Sequence, residues 1–210
     1  MLRWMTTLTF SEKYMFFELF SGEGAVTRVW HQHGYATASY DLLYGDPMDF
    51  LSSKGYSIAL WTVLNECVDA MNMIGPACGS WGIPARATSM RSTINPYGRV
   101  GIECVDANNC LVSRLVLLIL LMMAKHTQWV VEQPSQSLLP KHHRWDWLVN
   151  RIAYVYQQSL WMMLHGAPSP KPTLLMSPMR TIYMLDLGVL TKSEREARTS
   201  LKTTRIVASI

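Results

Sequence analysis

The chain has 210 residues, 49% of them hydrophobic, which supports one α/β domain with a buried core and falls short of two such domains. Charged residues make up only 16%, against a usual share of about 25%, while Met (14) and Trp (8) are abundant, so much of the surface is expected to be apolar or covered. The net charge of +4 is compatible with a polyanionic partner, but Lys and Arg are scattered, which excludes an argument for nucleic-acid binding from charge alone.

The first twenty residues mix polar and charged side chains through their apolar positions and lack the pattern of a secretory signal, so an intracellular setting is expected. The predicted elements begin with a strand Met15 to Phe20, a helix Ala25 to His33, a strand Ala36 to Asp41 and a helix Ser53 to Asn65. A strand Val68 to Ile74, a helix Val105 to His126 and a strand Gln128 to Glu132 follow, then a helix Trp145 to Tyr156, a strand Trp161 to Leu164 and an apolar segment Thr173 to Met176. The alternation predicts an α/β fold with a mostly parallel central sheet and helices on both faces, over residues 12–186. Residues 187–210 are expected to form a short charged tail or helix.

The run Leu115 to Ala124 is the most apolar, but a membrane helix needs roughly 20 such residues. It is therefore expected to be a buried helix, with no membrane association. Between Cys78 and Val105 a Gly-, Pro-, Ser- and Arg-rich stretch is too long for a simple connection; a flexible basic loop is expected, in which Arg86, Arg91 and Arg99 are able to close over nucleic acid. Cys67, Cys78, Cys104 and Cys110 form no CxxC pair and have no histidines at zinc-finger spacing, so neither a metal site nor a disulfide framework is expected. His31 and His33 belong to no ligand set, and His142-His143-Arg144 is expected to be a solvated helix start, with a phosphate contact as the alternative.

Chemistry concentrates in a few places. Phe17-Glu18-Leu19-Phe20-Ser21-Gly22-Glu23-Gly24 is an apolar strand running into a Gly-x-Gly turn that opens a helix, where free amides and a bare backbone admit a ligand. Asp41 ends the second strand, where an acid can bind two ribose hydroxyls; a packing turn and an exposed acid are the plainer readings. This segment resembles the Asp/Glu-x-Phe-x-Gly-x-Gly signature of S-adenosylmethionine-binding methyltransferases, in the DLFSGxGG form of the cytosine-5 DNA methyltransferases.

Three further segments resemble that family, in its order. Gly75-Pro76-Ala77-Cys78-Gly79-Ser80-Trp81 is similar to GPPCQxFS, with Ala77 and Gly79 as departures. Glu132-Gln133-Pro134, at the end of an apolar strand, is similar to ENV. Gly166 to Leu174 is similar, more faintly, to G-x-P-Q-x-R-x-R, with Lys171 and Thr173 in place of the arginines.

The resemblance implies a Rossmann-like methyltransferase fold and S-adenosylmethionine as cofactor. Glu18, Phe20, Ser21, Gly22, Gly24 and Pro76 then surround the cofactor, with Phe20 stacked on adenine, Asp41 on the ribose, and Asp46 or Asp49 at the adenine amino group. A helix N-cap role for Asp49 is equally open. It implies Cys78 as the nucleophile on cytosine C6, Glu132 as proton partner at the base, and Ser80, Gln133 and Lys171 as substrate contacts. The expected partner is nucleic acid, DNA first. The family's target-recognition domain has no counterpart, so a protein partner or second chain supplying recognition is a corollary. Two other readings stay open: a cofactor-fold binding module without turnover, and a methyltransferase for a different substrate.

Overall fold

A computed structural model describes residues 10–193. It holds a six-stranded mixed sheet flanked by helices. The strands are β1 (Tyr14–Leu19), β2 (Thr37–Tyr40), β3 (Glu66–Ile74), β4 (Gln128–Pro134), β5 (Tyr156–Trp161) and β6 (Pro172–Ser177), in the order β2-β1-β3-β4-β6-β5. Strands β2, β1, β3 and β4 run parallel, whereas β6 is antiparallel to both β4 and β5. The sheet is thus mostly parallel only across its first four strands. Hydrophobic periodicity sets which face a side chain takes, not which way a strand runs, and so leaves the reversal of β6 unread.

The helices are α1 (Ala25–Gln32), α2 (Ser53–Leu64), α3 (Arg86–Ser89), α4 (Glu103–Ala124) and α5 (His143–Trp147), the last continuing through a π turn to Ile152. Alternation along the strands sends Phe17, Leu19, Ile74, Trp129, Val131 and Met176 to the face covered by α2, α4 and α5, which holds the main core. Helix α4 is central: Val105, Val112, Leu115, Leu118, Ile119 and Met122 are all fully buried on it. By length and composition α4 matches a membrane-crossing helix, yet here it packs on α2, α5 and β4. On the opposite face Val130, Leu160 and Leu175 meet Ile182 of a 3₁₀ segment, while Trp30 of α1 stacks on Phe16 with ring centroids 4.7 Å apart.

The expected helix Trp145 to Tyr156 ends early, and the expected strand Trp161 to Leu164 is a 3₁₀ turn (Met162–His165). The strand lies just upstream because Gln157, Gln158 and Ser159 can occupy an edge strand paired on one side only. The expected tail 187–210 lies largely outside the described residues; within them, Leu190 is buried.

Order reverses between β1 and β3: from β1 the chain moves outward to β2, then returns through α2 to β3 on β1's other side. In open α/β sheets such a switch point, at the carboxyl ends of the strands, leaves a crevice for ligands.

Candidate functional site

Strand register builds the site. Leu19 pairs with Tyr40 and with Ile74, and Ile74 with Val131, so β2, β1 and β3 end in line while β4 runs on to Pro134. Phe20, Asp41 and Gly75 therefore leave the sheet along one edge, level with Glu132, which stays within β4 and pairs with Leu175 of β6. The reversed β6 starts at that edge, since Pro134 of β4 pairs with Thr173, and so delivers Lys171 there.

At the switch point the glycine turn is tightly wired. Phe20, Gly22 and Gly24 have φ of 61°, 53° and 66°, a left-handed region strained for Phe20. The Asp41 carboxylate accepts hydrogen bonds from the amides of Gly22 (2.8 Å) and Leu43 (2.9 Å), tying the turn to the end of β2. Tyr44 donates its hydroxyl to the Gly22 carbonyl (3.1 Å) and lies 3.2 Å from the Ser21 hydroxyl. Sequence reasoning missed Tyr44, because an aromatic three residues past Asp41 carries no distinctive signal. A Cβ on Gly24 would meet Tyr44 and Ser39 hydroxyls, whereas one on Gly22 would meet nothing within 4 Å, so open space lies beside Gly22.

The remaining residues matched to the cofactor are placed as follows. Glu18 is buried and accepts from the Thr27 amide (2.7 Å) and hydroxyl (2.6 Å), which anchors the first turn of α1. Phe20 is half-buried, its ring edge-on to Phe50 at 5.0 Å. Asp46 is exposed, and Asp49 caps a turn by accepting from the Leu51 amide (2.8 Å), while Ser52 is the N-cap of α2. Burial, reinforced by the Asp49 carboxylate, pushes the nearby Tyr40 hydroxyl up in pKa. Pro76 is buried, and its carbonyl accepts from the Gln133 amide (2.7 Å).

Across β3, exposed Cys78 shares the walls of a cavity of about 360 Å³ with Gly79, Ile83, Pro134, Lys171 and Pro172. Lys171 Nζ lies 2.9 Å from Glu132 Oε1, and the Thr173 hydroxyl donates to the same oxygen at 3.4 Å. Lys171, which lines the cavity with Cys78, thus contacts Glu132, which does not itself line it. Ser80 and Gln133, matched to substrate, do not line the cavity: Ser80 is buried, and Gln133 is fully buried with its side-chain amide shared between Pro76 and Ser137. Gln133 thus ties two loops together, while the buried Ser80 hydroxyl has no hydrogen-bond partner.

The segment after Cys78 is folded, and its arginines divide. Arg86 and Arg99 are exposed, whereas Arg91 is 2% exposed and stacks its guanidinium 3.4 Å over the Trp81 ring, out of reach of any nucleic acid. His142 is likewise fully buried, the N-cap of α5, between Trp81 and Tyr97. Burial first, then the Arg91, His143 and Arg144 charges, holds its pKa down to about 4, so the imidazole is neutral at pH 7. That replaces the expectation of a solvated helix start, although exposed His143 and Arg144 keep it. All four cysteines are free, and among the described residues no group of three or more His, Cys, Asp or Glu is placed to hold a metal ion.

Fold and site define an α/β protein with its ligand-accessible loops gathered at the carboxyl edge of a mixed sheet. The chain matches no protein-family model and no curated protein.

Proposed function

We propose that this protein binds S-adenosylmethionine at the Gly22–Gly24 turn and transfers its methyl group to C5 of cytosine in nucleic acid. The observation that carries the reading is the shared edge: the glycine turn, Asp41 and the Cys78 turn follow three strand ends in register, level with Glu132 near the carboxyl end of β4, on both sides of the switch point. The residues fit such a cofactor in two respects. Open space adjoins Gly22, and the Asp41 carboxylate, with roughly four acceptor positions, keeps some beyond those used by Gly22 and Leu43.

In this mechanism the Cys78 thiolate adds to C6 of the base, and Glu132 supplies the proton at its Watson–Crick edge. Once C5 carries the methyl group, its proton passes to solvent and the C6–sulfur bond breaks, which restores the C5–C6 double bond and frees the Cys78 thiolate. The bound cofactor provides an electrophilic methyl group. The cavity walled by Ile83, Pro134 and Pro172 excludes water around the base. Lys171 holds the Glu132 carboxylate, so that ion pair must rearrange as the base enters.

The same ion pair supports a second reading, a cofactor-binding module without turnover. Calorimetry with S-adenosylmethionine and S-adenosylhomocysteine tests the step common to both: binding is expected, and its absence refutes both. DNA or RNA containing 5-fluorocytosine then separates them. A covalent adduct is expected with the cofactor present, lost in Cys78→Ala and weakened in Glu132→Gln. Binding without trapping refutes cytosine methylation and favours the module, or a methyltransferase for a different substrate.

A further inference from the structure

The segment between the Cys78 turn and α4 folds back as a strap, through a 3₁₀ turn (Ile83–Ala85) and α3, and one side chain ties its parts together. Arg91 Nη1 donates to the Pro96 carbonyl within the strap and to Asn109 Oδ1 on α4 (2.9 Å); Nη2 donates to the Val105 carbonyl, also on α4 (3.1 Å). Asn109 returns a hydrogen bond to the Tyr97 carbonyl (3.0 Å). The guanidinium plane meanwhile covers Trp81, whose own amide donates to the Cys78 carbonyl (3.0 Å) and whose carbonyl accepts from Leu138 (3.0 Å). Gly98 permits the approach: it has φ of 71°, and a Cβ there would lie 2.5 Å from the Ser89 carbonyl and 2.8 Å from Arg91 Cγ.

A buried cation is costly, and among the described residues no carboxylate forms a salt bridge with Arg91. Carbonyls and an aromatic face compensate it instead, an arrangement that a planar fork makes and an aliphatic side chain does not. Stability alone would be served by an apolar residue of similar volume. What the arginine adds is geometry: it joins α4, the strap and Trp81 at one point, and through Trp81 it fixes the turn that carries Cys78. Ile83 and Pro84 of the same strap wall the cavity beside that thiol.

We propose that Arg91 is a positioning residue, which acts through Trp81 to hold the Cys78 turn and the Ile83–Pro84 wall in their working arrangement. The proposal rests on the reading above only in treating Cys78 as the reacting group. Hydrogen–deuterium exchange of the full chain, resolved by peptide, tests the positioning independently of methyl transfer. In Arg91→Met, amides of 79–84 and 91–101 are expected to exchange about tenfold faster or more, with those of β1, β4 and the middle of α4 unchanged. Arg91→Lys, which keeps the charge and loses the fork, is expected to move the same peptides by a smaller factor and serves alone if Arg91→Met does not fold. Exchange at 79–84 unchanged in a folded variant overturns the proposal.

Kinetics give the second readout. In Arg91→Lys the methyl-transfer kcat is expected to fall about tenfold, with cofactor affinity unchanged, because the glycine turn lies on the other side of β3. An equal loss of cofactor affinity overturns the proposal in favour of a general structural role. Should the wild-type chain transfer no methyl group at all, the function reading fails, and exchange alone decides the part played by Arg91.

Discussion

Glu66, at the start of β3, has a side chain with no exposure to solvent. One carboxyl oxygen accepts from Asn72 Nδ2 (3.1 Å); the other, and Asn72 Oδ1, are buried with no partner. A buried carboxyl oxygen lacking any donor favours the protonated, uncharged form of the group. Burial raises its pKa from 4.5 to about 7, against the opposing effects of the Asn72 and Thr127 hydrogen bonds and the Lys125 charge. The folded state then holds a proton that the unfolded chain releases between those values, so stability is fully present below pH 4.5 and falls as pH rises to about 7. At about 1.4 kcal/mol per pH unit, the loss is about 3 kcal/mol. Glu66→Gln keeps the shape and stays neutral. Urea unfolding at pH 4.5, 6, 7 and 8 is expected to show the variant close to wild type at the acid end and about 3 kcal/mol more stable at pH 8, since other titrations cancel in the difference. A difference constant with pH within about 0.5 kcal/mol refutes the argument that Glu66 is protonated in the fold.

The opposite slope is expected from His142: its folded pKa of about 4 lies below the ordinary 6.5, so its contribution is present above pH 6.5 and lost as pH falls towards 4. His142→Asn, which can still cap α5, should remove that acid-side loss in the same unfolding series. Gly22→Ala places a methyl in the open space beside a strained φ; S-adenosylmethionine binding is expected to weaken about tenfold or more by calorimetry, with a stability cost of only about 1–2 kcal/mol. Unchanged affinity would move the cofactor away from this turn. Asp41→Ala should weaken the same binding by roughly tenfold or more, through lost ligand bonds and release of the Gly22 amide, and an effect within error would place the ribose elsewhere.

How much of this was legible depended on the kind of signal. Phe16, Phe17 and Leu19, Val130 and Val131, and the long apolar face of α4 announced their elements by hydrophobic pattern, and the edge carrying Asp41, Cys78 and Glu132 followed from where the runs stopped. The direction of β6 and the identity of β5 were hidden, the first because strand direction has no periodicity, the second because YQQSLW is polar on an edge. Arg91 was misread because a charge among glycines and prolines ordinarily points to solvent; only the tertiary stack on Trp81 and the α4 carbonyls make a buried site for it. Glu66 and Asn72 gave no warning either, since they meet each other across the bulge in β3, with Gln128 at the start of β4 as a further partner of Asn72.

Helix α1 begins at the glycine turn yet buries none of its residues, with Val26 and Val29 left substantially exposed. Its side-chain attachments centre on two residues, Trp30 against Phe16 and Tyr35, and Thr27 bonded to Glu18 and Ser39, so its opening costs less than global unfolding. Any ligand seated on the turn must draw on that small reserve of order. Substitutions along the outer side of α1, remote from every binding group, can then raise or lower affinity simply by changing how often the helix is formed, which gives selection a dial that leaves the reacting groups untouched.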